Sequence, residues 1–163
     1  MTSDLASAGP TTDSPSAPPP GVLGPWRLRL LVINLVVQAG IVVTGGLVRV
    51  TGSGLGCPTW PQCAPGSYTP TERQAESWHK YVEFGNRTLT FVLAIVAVAT
   101  LVAVATHTPR RPRLIALAAV PLLGTVAQAV LGGITVLTGL NPWTVAGHML
   151  VTMAIIAACT VLL

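Results

Sequence analysis

Apolar residues run through this chain in four long, nearly unbroken stretches, with no alternation of the kind a half-buried strand would show. The stretches are Leu28–Val48, Val82–Thr106, Leu114–Thr138 and Thr144–Leu163. A bilayer's hydrocarbon core is roughly 30 Å thick and a helix rises about 1.5 Å per residue, so each stretch is long enough to cross it. The pattern predicts an all-α membrane protein: a four-helix transmembrane domain over residues 26–163, with 49–81 as one long loop. Residues 1–25, with Pro18-Pro19-Pro20 among scattered Ser and Thr, have too little apolar surface to offset their ordering entropy and are expected to form a disordered cytoplasmic tail. The tail does not read as a signal peptide, because the first apolar run is long and leads into Arg49 and a Gly-rich loop instead of a cleavage site.

Composition agrees: 51% of the 163 residues are apolar and 9% are charged, outside the range of soluble globular domains. The few charges set an orientation. Arg27 and Arg29 precede the first stretch, and Arg110, Arg111 and Arg113 crowd the short link between the second and third. Short cytoplasmic loops carry the positive excess, so these ends and both termini are placed in the cytoplasm. Loop 49–81, which balances Arg49, Arg73 and Lys80 against Glu72 and Glu76, and the uncharged loop 139–143 then face outward from the plasma membrane. The net charge of +4 is thereby explained as topology, and without a basic patch interleaved with aromatics there is no case for nucleic acid.

The chain also repeats itself. Gly45-Gly46-Leu47-Val48-Arg49-Val50-Thr51-Gly52 closes the first stretch, and Gly132-Gly133-Ile134-Thr135-Val136-Leu137-Thr138-Gly139 closes the third, in matching register. The next helices open with Gly85-Asn86-Arg87 and Gly147-His148-Met149. Two copies of a helical hairpin are expected to close into a bundle, with any cofactor between facing helices. The paired glycines admit a close approach, either of a neighbouring helix or of a flat ligand.

Polar groups that could carry chemistry gather toward the outer face. Glu83, Asn86, Arg87 and Thr90 share one face of the second helix at i, i+3, i+4 and i+7. Ionisable groups at that depth commonly mark a functional site; the plain alternative is an internal Glu83–Arg87 ion pair with Arg87 reaching outward. His148 lies about one turn into the fourth helix and is either a metal or haem ligand or a histidine bonded to a neighbour. His79, beside Trp78, reads as interfacial. Cys57 and Cys63 flank Pro58-Thr59-Trp60-Pro61-Gln62 in an oxidising compartment, which favours a disulfide, whereas Cys159 reads as a small buried hydrophobe.

Gly45 through Pro61, Glu83-Phe84-Gly85-Asn86-Arg87, and Gly139-Leu140-Asn141-Pro142-Trp143 with His148 together resemble the haem A synthase family. The resemblance spans residues 28–163. Members usually have eight membrane helices in two similar halves, and this chain looks like the first half; its close at Leu163, an apolar run without flanking charge, reads as a sequence cut short. The resemblance implies an oxidoreductase that converts the C8 methyl group of haem O to the formyl group of haem A, for cytochrome oxidase. It implies Glu83 as the essential glutamate, His148 as a haem-iron ligand, and Cys57 with Cys63 as the loop cysteine pair. Asn86, Arg87 and His79 are the further candidates for haem contact. Asn86 stands where many members carry a histidine, which leaves the iron five-coordinate on His148 or brings His79 in as its second ligand. The substrate would be haem O, haem b would reside in the second half, and the partners would be membrane lipid, haem O synthase, and a second four-helix half or oligomer partner. Two rivals stand beside this reading: a non-catalytic haem-binding bundle, serving electron transfer or haem delivery, and a small four-helix transporter.

Overall fold

The computed structural model describes residues 23–72 and 74–163; most of the expected tail, and Arg73, lie outside them. Four helices follow one another, α1 Pro25–Val50, α2 His79–Ala105, α3 Pro112–Leu137 and α4 Pro142–Leu162. All four are long and apolar enough to cross a membrane, and each begins or ends within a few residues of the stretch that predicts it. The expected four-helix membrane bundle is what the chain forms.

Helix limits follow local chemistry. Proline opens α1, α3 and α4, where its missing N–H costs nothing because the first helical donors have no partner inside the helix. Asn141 adds a side-chain cap, its Oδ1 accepting from the Trp143 amide at 2.9 Å. The end of α3 is closed by Gly139 in the left-handed region, φ 63°, with its amide and that of Leu140 donating back to Val136 and Thr135.

The helices pack in a ring, α1 on α2, α2 on α3, α3 on α4 and α4 on α1. Long aliphatic and aromatic side chains such as Val43, Phe91, Ile95 and Leu150 face outward, while Asn34, Gln38, Thr100 and Thr125 are buried. That inversion suits lipid, where polar side chains are stable only when they bond across helices. Gln38 Nε2 donates to Thr125 Oγ1 at 3.4 Å across the bundle diagonal, and Asn34 Nδ2 approaches Cys159 Sγ at 3.4 Å. Leu31, Val104, Ala118 and Leu162 seal the end nearest the α2–α3 link. The opposite end is capped by residues 51–72 and 74–78, and the candidate site described next lies there.

Candidate functional site

The capped end is built from the start of α2 upward. Glu83 is 5% exposed, and both of its oxygens are engaged. Oε2 accepts the Cys57 amide at 2.8 Å, and Oε1 accepts Arg87 Nε at 3.1 Å and Nη2 at 2.5 Å. Arg87 reaches on into the loop, Nη2 to the Cys57 carbonyl at 2.6 Å and Nη1 to the carbonyls of Thr59 and Gln62 at 2.9 and 3.2 Å. The i, i+4 spacing thus produces the ion pair that the sequence offered as the plain alternative, with an added consequence. The pair grips the segment 57–62 from both its amide and its carbonyl sides. A planar guanidinium with five donors in a fixed fork suits this, where a lysine's single ammonium would not.

Further straps hold the same loop. The sulfur atoms of Cys57 and Cys63 lie at bonding distance, 2.05 Å. Lys80 Nζ donates to the Thr71 carbonyl at 2.6 Å, and Gln74 Nε2 to those of Gly56 and Cys63. Gly56 lies so close to the backbone of His79 and Lys80 that no side chain fits there. Leu140, held at φ 61° in the α3–α4 turn, lies where a side chain at Gly54 would go, so the two loops at this end meet.

The remaining candidates fall on two sides of this cap. His79 Nδ1 is 2.8 Å from Ser53 Oγ, and its ring stacks on Trp78 at 4.1 Å. Asn86 Oδ1 accepts from Thr44 Oγ1 at 2.7 Å, tying α2 to α1 one residue before the first glycine pair. His148, on α4, faces α3: its Cε1 lies 3.5 Å from where a side chain at Gly132 would begin. Its Nδ1 is buried with no hydrogen-bond partner among the described residues, while Gln128 Nε2 bonds its backbone carbonyl at 2.8 Å and also reaches Thr152 Oγ1. The structure therefore brings Glu83, Arg87, Cys57 and Cys63 into one cluster. His79, Asn86 and His148 each have separate surroundings. Among the described residues no three His, Cys, Asp or Glu side chains gather as a metal cluster.

Two participants escape a reading of the sequence. Thr44 looks like one more small residue beside Gly45-Gly46, and only the α1–α2 contact shows it holding Asn86. Trp60 looks like an ordinary interfacial aromatic, yet its ring lies against Gly133 of α3.

Four lipid-facing helices with polar interior bonds, capped at one end by a strapped loop over buried polar side chains, define a multi-pass α-helical membrane protein. Comparison with known proteins narrows this class. Residues 28–163 match the COX15-CtaA family, described as cytochrome oxidase assembly protein. The chain is 31% identical over 123 residues to a heme A synthase of Geobacillus kaustophilus and 33% identical over 124 residues to one of Geobacillus thermodenitrificans; each alignment covers 75% of this chain and 37% of the relative. A heme A synthase of Listeria welshimeri is 27% identical over 132 residues, covering 80% of this chain and 42% of the relative. The chain belongs to this haem A synthase family, and it spans about two fifths of the length of the relatives it matches.

Proposed function

We propose that this chain is the substrate-holding half of a haem A synthase-type oxidoreductase, acting on haem O in the plasma membrane with the capped end outside and both termini in the cytoplasm. Family membership over residues 28–163 supports the role in haem A biosynthesis. The observation that carries the site is the orphaned Nδ1 of His148. A buried imidazole nitrogen without a hydrogen-bond partner is costly in lipid, and iron is a partner that an unprotonated nitrogen can take. Gly132 faces His148 without a side chain between them, and Gly147, next to it on α4, has nothing within 4 Å of where a side chain would begin.

In this reading His148 would hold the iron of haem O, the substrate, and the four-electron oxidation of its methyl group would draw on an electron acceptor supplied from outside this chain. Glu83 acts beside the C8 methyl group, accepting a proton or stabilising positive charge as the methyl becomes formyl. Arg87 orients that carboxylate, and Asn86 and His79 line the same end. Cys57 and Cys63 are oxidised to each other and shape the loop over the site. Mass spectrometry of unreduced protein is expected to show the linked peptide; two free thiols would refute the pairing. Haem b, a second four-helix half or oligomer partner, and haem O synthase complete the expected assembly.

One observation favours a second reading, a haem-binding bundle without catalysis: both Glu83 oxygens are already committed to Arg87 and the Cys57 amide, as a purely structural clamp would require. Glu83→Gln and His148→Ala, placed in the natural reading frame, separate the two. Glu83→Gln is expected to retain the haem spectrum while haem A yield falls by about a hundredfold or more, the range lost with a positioned acid–base group. His148→Ala is expected to alter the bound haem itself. Normal haem A from Glu83→Gln would leave Glu83 as a clamp.

A further inference from the structure

We propose that Trp60 is the gate of this site: its indole ring, seated on Gly133 one residue from the glycine that faces His148, and carried on a loop that Arg87 holds, controls the rate at which haem enters and leaves. The proposal rests on the haem-binding reading given above. Gly133 is buried, and what covers it is the loop tryptophan. A side chain beginning at Gly133 would meet Trp60 Cδ2, Cε2 and Cγ at 2.5, 2.7 and 2.8 Å, so the ring fits only because this residue is glycine. The neighbouring Gly132 points at His148. Ring and imidazole therefore border the same short stretch of α3.

The internal repeat sharpens the point. Gly45 and Gly46 occupy the equivalent positions on α1, and no neighbouring element lies within 4 Å of where a side chain would begin at either. Of two matched glycine pairs, one is covered by a flat aromatic from the loop and the other is open. The ring is also held on both sides. Arg87 Nη1 bonds the carbonyls of Thr59 and Gln62, and Thr59 Oγ1 bonds the Gln62 carbonyl at 2.8 Å. The Glu83–Arg87 pair thereby fixes where Trp60 sits, without touching its ring. A flat apolar group on a glycine is displaced at modest cost by another flat apolar group, since neither has a hydrogen bond to break there.

The test uses the full chain in lipid nanodiscs loaded with hemin, with release followed by transfer to excess apomyoglobin. Trp60→Ala is expected to start from the wild-type haem spectrum and to lose hemin at least about tenfold faster, while Trp60→Phe, which keeps a flat ring, stays near the wild-type rate. A second readout needs no haem. In a chain whose only tryptophan is Trp60, with Trp26, Trp78 and Trp143 changed to Phe, Gly133→Ala and Arg87→Lys should each shift emission to the red and raise acrylamide quenching. Gly45→Ala should leave both unchanged. Equal hemin release from wild type and Trp60→Ala would overturn the gate, as would unchanged emission in Gly133→Ala. Failure of the wild type to bind hemin at all would instead refute the haem-binding reading and the gate with it.

Discussion

Arg87 joins groups that would otherwise be independent: the Glu83 carboxylate and the carbonyls of Cys57, Thr59 and Gln62. Charge-assisted bonds of this kind are worth about 1.5–3 kcal/mol each where water is excluded, and an ammonium cannot reach all four acceptors. Arg87→Lys keeps the charge and is expected to raise amide exchange at Cys57 and Cys63 by about tenfold or more, as read by hydrogen–deuterium exchange. An unchanged rate would show that Lys80, Gln74 and the cysteine pair suffice to hold the loop. The Glu83–Arg87 contact was legible in the sequence, because i, i+4 spacing brings two such side chains together in any helix. Its grip on the loop was not, since nothing in the spacing says which carbonyls lie opposite. Thr44 on Asn86 and Trp60 on Gly133 were hidden for the same reason: each joins elements far apart in the chain, and neither residue type has a distinctive pattern.

Among the helices, α3 and α4 approach closely at Gly124, where a side chain would begin 2.6 Å from both Cδ1 and Cγ1 of Ile155. Small residues let backbones approach in lipid, where no hydrophobic effect presses helices together. Gly124→Ala is expected to destabilise the bundle by about 1–3 kcal/mol through overpacking, and Ile155→Ala in the same chain to recover much of it. Unfolding in mixed detergent micelles measures both, and additive losses would contradict the contact. The helices themselves were the most legible feature, since a membrane-crossing run announces itself by length and apolarity. The starts of α1, α3 and α4 moved by two or three residues because Pro25, Pro112 and Pro142 extend those helices beyond their apolar runs, as first-turn prolines do. The interior amides Asn34 and Gln38 were less visible, for two polar residues in a long apolar run do not declare which way they face.

Taken as a whole, the molecule puts its apolar side chains outside and its polar ones inside, and gathers its buried charges at one end. The arginines at the other end argue that the capped end is exported. A thiol placed at the exposed Tyr68 should react with an impermeant reagent from outside the cell, and one at Thr108 should not; the reverse would invert the topology. The helical pattern and the repeat made the bundle and its polar end foreseeable, whereas the proposed haem ligation by His148 depends on chemistry that no periodicity encodes. That ligation is also where the functional account is most exposed. The chain and its His148→Ala variant should be purified from cells that make haem O, and the haem content and absorption spectrum of each recorded. The account predicts haem in the wild-type chain with a spectrum that His148→Ala shifts or abolishes. A wild-type chain without haem, or an identical spectrum in the variant, would contradict it.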